Sequence, residues 1–136
     1  MKLCTPYAFG KTVAVPFEAT EKKVREELQK EGFGILTEID VTAKFKEKLG
    51  KDFRKYVILG ACNPPLADRA LQVELEIGLL LPCNVIVYEV SADRSVVAAL
   101  APLTAFGIVG DNAELEAVAH EADSRLRAAL TSLERS

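Results

Sequence analysis

Two segments restrict the fold more than any other feature of the chain. They are Phe53–Cys62, FRKYVILGAC, and Cys83–Val90, CNVIVYEV. Side chains along a strand alternate between two faces, so a strand with one wet face shows every second residue polar. Here Val57, Leu59 and Ala61 alternate with Ile58, Gly60 and Cys62. Likewise Cys83, Val85 and Val87 alternate with Asn84, Ile86, Tyr88 and Val90. Apolar residues in both sets mark strands inside a sheet whose two faces are both covered. The rest of the chain must supply that cover.

The flanking sequence supplies helices. Glu18–Glu31 reads as a helix, with Phe17 just before it sharing one stripe with Val24 and Leu28 and charged residues elsewhere that suggest pairs such as Lys22–Glu26 and Glu26–Lys30. Gly32 suits a left-handed helix end, with Phe33 folding back on Leu28. A short helix is expected over Thr42–Leu49, capped by Thr42 or Asp40, with Phe45 packing on Leu49 and Gly50 ending it. Asn63-Pro64-Pro65 stops a strand, and a helix is expected from about Pro65 to Ile77. A last helix runs from a capping box at Asp111 and Glu114 to about Leu133.

Further strands are expected over Tyr7–Val15 and Phe33–Val41, the latter with Ile35 and Ile39 on one face. A return strand, Ser95–Leu103, makes a hairpin with Cys83–Val90, and Thr104–Gly110 reads as a loop. The order predicts a two-layer α+β domain in which helices pack on a mainly antiparallel sheet. The chain has 136 residues, which suits one domain over 1–136. Helices on one face leave the other apolar face to be covered, and a symmetric homodimer is the expected solution.

Composition narrows the function classes. A net charge of −3 argues against nucleic acid as partner. No apolar run is long enough for a membrane span, and the first residues, MKLCTPYAFG, lack a secretory pattern, so a cytoplasmic protein is expected. The three cysteines, Cys4, Cys62 and Cys83, are odd in number and widely spaced, which suits neither a disulfide framework nor a zinc site. One Met, no Trp and many charges are features shared with thermophile proteins.

The candidate site residues are Cys62, Asn63, Cys83, Tyr88 and Glu89. Cys62 ends one strand and Cys83 begins another, so antiparallel pairing would put both thiols at one end of the sheet. They then read either as small buried hydrophobes or as a pair for redox chemistry or a soft metal such as Cu(I). Glu89 reads as an acid–base carboxylate or as a rim residue paired with Lys or Arg. Tyr56 and Tyr88 read either as hydroxyls offered to a pocket or, more commonly for strand tyrosines, as packed rings with wet tips. His120, the single histidine, lies on a polar helix face. The chain has no GxSxG, HExxH, CxxC or phosphate-loop pattern, so no catalytic residue and no cofactor is assigned. The expected function is a homodimeric small-ligand-binding or interaction module.

Three segments resemble one family. EGFGILTEIDV (Glu31–Val41), YVILGACNP (Tyr56–Pro64) and LLLPCNVIVYE (Leu79–Glu89) are similar to the domain of unknown function 302, DUF302. The resemblance implies a bacterial or archaeal protein with a single β-α-β4-α domain of TBP-like arrangement. It implies no activity and draws attention to Cys62, Asn63, Pro64, Pro82 and Cys83. It does not imply nucleic acid binding, because a fold does not carry function.

Overall fold

A computed structural model describes residues 5–135 of the chain. Cys4 lies outside the described residues. Five strands, β1 (Ala8–Val13), β2 (Gly34–Asp40), β3 (Tyr56–Cys62), β4 (Cys83–Ser91) and β5 (Arg94–Leu100), form one sheet in the order β1-β5-β4-β3-β2. Every neighbouring pair is antiparallel. The helices are α1 (Phe17–Lys30), α2 (Val41–Leu49), α3 (Pro64–Val73), α4 (Pro102–Gly107) and α5 (Ala113–Thr131). The fold is the expected α+β arrangement, β-α-β4-α with extra short helices, and the doubly apolar strand β4 is its centre.

One face of the sheet carries the main core. Phe9, Val57, Leu59, Val85, Val87 and Val97 pack against Val24 and Leu28 of α1 and Leu126 and Leu130 of α5. A second core joins α3, α4 and α5 through Leu66, Ala70, Phe106, Leu115 and Val118. Helix α1 ends as its sequence predicts. Gly32 has φ +86°, its N–H donates to the Gln29 carbonyl, and the Phe33 N–H donates to the Leu28 carbonyl at 2.9 Å. Lys11 interrupts the apolar side of β1 by extending its amine to the Thr131 carbonyl, 3.3 Å away.

The opposite face, called open here, is built from cross-strand rows. Gly10, Ala98, Ile86, Ile58 and Ile39 lie side by side across all five strands, and Thr12, Val96, Tyr88 and Tyr56 form the row beside them. Ile58, Ile86, Tyr56 and Tyr88 are half-buried, and Ile39 is exposed. The main helices therefore cover one face of the central strands and leave the other partly wet.

Several local expectations are corrected. The register of β2 shifts between Ile35 and Thr37, so Ile35 pairs with Ala61 on the helix side while Ile39 pairs with Ile58 on the open face. A bulge at Leu36 reverses the alternation, and it turns Glu38 towards α1, where it meets Arg25 at 2.7 Å. Strand β3 starts at Tyr56, not Phe53, and β5 stops at Leu100 because Pro102 opens the short helix α4 where a loop was expected. Pro64 is helical although it precedes a proline, and Asn63 caps the helix. Helix α3 ends at Val73, and a 3-10 turn over Leu75–Leu80 still buries Ile77. Asn112, not Asp111, caps α5, accepting from the Leu115 N–H at 3.0 Å. Asp40 caps α2, while Leu49 is exposed and Phe45 packs on Phe53 with ring centres 5.1 Å apart. The i,i+4 pairs of α1 are Glu21–Arg25 and Lys23–Glu27.

Candidate functional site

The five candidate residues do not form one site. Cys62, Asn63 and Cys83 come together at one end of the sheet, as antiparallel pairing of β3 and β4 requires. Tyr88 and Glu89 lie near the other end of β4 and point to opposite faces. Glu89 is a rim residue: its carboxylate is 4.0 Å from Lys55, whose amine also pairs with Glu18. Tyr88 stacks on Tyr56 on the open face, with centroids 5.5 Å apart and planes 5° from parallel. Arg54 lies over the Tyr88 ring at 5.7 Å.

Asn63 is explained by structure. It is buried, its side-chain oxygen accepts from the Leu66 N–H at 3.3 Å, and its amide nitrogen donates to the Glu31 carbonyl at 3.5 Å. It thus ties the start of α3 to the end of α1. A Cβ on Gly32 would lie 2.9 Å from that amide nitrogen, so the glycine serves both the left-handed turn and this approach.

The two thiols share an end of the sheet and border one cavity there, although their strand positions alternate. Cys83 follows the side of its register partner Ala61, which faces the helices, and strand alternation sends Cys62 to the open side. Both sulfurs are poor nucleophiles. Burial, with a smaller contribution from the neighbouring Cys62, pushes the Cys83 thiol up to about 11. Burial also raises Cys62. The start of α3 does little against this, because Pro64 and Pro65 bring no N–H to the first turn. The cavity lined by Cys62, Asn63, Cys83, Phe33, Leu66 and Pro82 has a volume of about 20 Å³. That is room for about one water and not for an organic ligand.

A roomier hollow lies on the open face. Tyr7, Ala8, Tyr56, Asn84, Ile86 and Leu100 border a space of about 270 Å³. Sequence reasoning passed over Tyr7 and Asn84. The signal for Asn84 was present: it is the one amide in the otherwise apolar alternate set of the central strand. Burial raises the Tyr56 hydroxyl, with smaller effects from Tyr88 and Tyr7, so the three phenols gather over one area of the sheet.

Among the described residues no cluster of three or more His, Cys, Asp or Glu is placed to hold a metal ion, and no helix is long and apolar enough to cross a membrane. The chain matches the DUF302 family, described as a domain of unknown function, over residues 9–133. It is similar to the crystal structure of an uncharacterized conserved DUF302 protein from Bacillus stearothermophilus. That likeness has a TM-score of 0.84 and 34% identity, and covers 93% of this chain and 98% of that one. No curated protein matches the chain.

Proposed function

From the premise that the chain belongs to the DUF302 family, we propose that it is a binding module working as a homodimer, two copies packed open face to open face. The observation that carries this reading is the apolar row Gly10, Ala98, Ile86, Ile58 and Ile39, which crosses the whole sheet on the side away from the main helices. An apolar surface of that continuity fits a partner better than water. A second copy is the commonest partner of such a face in soluble proteins. The cytoplasm is the compartment we propose, since two unpaired thiols suit a reducing environment.

The thiol alternative, redox or Cu(I) chemistry at Cys62 and Cys83, has less support. Both sulfurs are biased towards the protonated form, and although both border one small cavity their strand positions alternate, which works against convergence. A two-coordinate soft metal needs thiolates that converge.

Sedimentation and native mass spectrometry test the dimer. Ile86 sits mid-row between Ile58 and Ala98. Ile86→Glu would bury a carboxylate at the interface, and a cost of about 3 kcal/mol or more weakens association by at least roughly a hundredfold. The expected result is a dimer for the natural chain and a folded monomer for the variant. A natural chain that sediments as one copy at micromolar concentration overturns the proposal.

A further inference from the structure

The hollow on the open face has the composition of a recognition site as well as of an interface. Its floor is Ala8, Ala98, Ile86 and Leu100, which are short or aliphatic and leave a shallow apolar bed. Two aromatic side chains, Tyr7 and Tyr56, stand at its border. Asn84 is exposed on the central strand, and its amide has no hydrogen-bond partner among the described residues. An asparagine amide presents a donor beside an acceptor, the pattern that pairs with a heterocycle edge carrying the complementary two groups. Among the described residues the two phenols are the only ionisable side chains bordering the hollow, and the rest of its lining suits an uncharged ligand. Burial raises the Tyr56 hydroxyl, which favours its neutral form. The volume, about 270 Å³, lies just below the usual range for drug-sized ligands and suits one or two fused rings.

We infer that this hollow binds a small, flat, uncharged heteroaromatic molecule, its ring lying on the Ala8–Ala98 bed beside Tyr56 and its edge paired with the Asn84 amide. The inference deepens the proposed function and rests on it, since a second copy over the open face is what would shield the bound ring from water.

The chain has three tyrosines, Tyr7, Tyr56 and Tyr88, so carbon-labelled tyrosine gives three ring signals in an NMR titration. Adenine, with a donor beside an acceptor, and indole, with one donor, are the probes. Adenine is expected to shift the Tyr7 and Tyr56 signals saturably. Losing a two-bond contact in Asn84→Ala is expected to weaken adenine by about tenfold and indole by less than about threefold. Ala8→Leu fills the bed and is expected to abolish binding of both; thermal unfolding of each variant confirms that it is folded. Absence of a saturable shift from either probe on the natural chain, or equal weakening of both probes in Asn84→Ala, overturns the assignment. Sedimentation of the same samples separates the two readings: a dimer that ignores both probes removes the ligand and keeps the dimer. A monomer that binds adenine through Asn84 does the reverse.

Discussion

Cys83 offers a direct measurement of how dry the end of β4 is. Its thiol is pushed up to about 11 from an ordinary value of 9.0, chiefly by burial. A raised pKa means that the folded state holds the proton more tightly than the unfolded chain. The resulting stability is fully present below about pH 9 and is lost as pH rises through about 11. A shift of that size corresponds to about 2–3 kcal/mol. Urea unfolding of the natural chain and of Cys83→Ala, from pH 8 to pH 11, isolates the effect. Lysines and tyrosines titrate in both proteins and cancel in the difference. The natural chain is expected to lose stability more steeply with pH, by about 2–3 kcal/mol over the interval. The same shift lowers the thiolate fraction at pH 8 from about one in ten to about one in a thousand, so alkylation at Cys83 should run roughly a hundredfold slow. Parallel pH profiles together with an ordinary alkylation rate would refute the buried, inert thiol and revive the redox reading.

Two more perturbations test how the sheet and the first turn of α3 are built. A Cβ on Gly60 would run into Thr37 Oγ1 and lie 2.8 Å from Pro82 Cγ. Gly60→Ala should therefore destabilise by about 1–3 kcal/mol in urea unfolding, and Thr37→Ala should restore part of the loss in a double-mutant cycle. Asn63→Ala removes the α3 cap and should cost about 1–2 kcal/mol, and Asn63→Asp should recover little of it, because it keeps the accepting oxygen but sets a buried carboxylate oxygen against the Glu31 carbonyl that the amide now bonds.

What could be read from the sequence was whatever has a local cause. The period of Val24 and Leu28, Gly32 at the end of α1, and the Ser91–Arg94 turn each act within a few residues, and each appears where its spacing puts it. Three features escaped, each for a different reason. The bulge at Leu36 comes with a close approach of Thr37 to Gly60 and the ion pair of Glu38 with Arg25, which join β2 to β3 and α1. Helix α4 is only six residues long, PLTAFG, too short for an apolar period to show. Pro64 should avoid helical angles before Pro65, yet the Asn63 cap and the burial of Leu66 outweigh that local preference. The candidate site divides the same way. Proximity of Cys62 and Cys83 follows from strand ends, but the stack of Tyr56 on Tyr88 depends on register, which no single strand encodes.

Register also gives the proposed dimer a handed shape. Along the row Gly10, Ala98, Ile86, Ile58, Ile39, side chains grow from the β1 edge to the β2 edge, so the open face slopes like a wedge. Two wedges fit when the thick side of one meets the thin side of the other. Among two-fold axes lying in the interface, the one parallel to the strands does this, placing β1 of each copy over β2 of its partner. The same axis brings each row onto its own counterpart. The row Ala8, Leu100, Asn84, Gly60 and Thr37 then faces itself, with Leu100 of each copy over Gly60 of its partner.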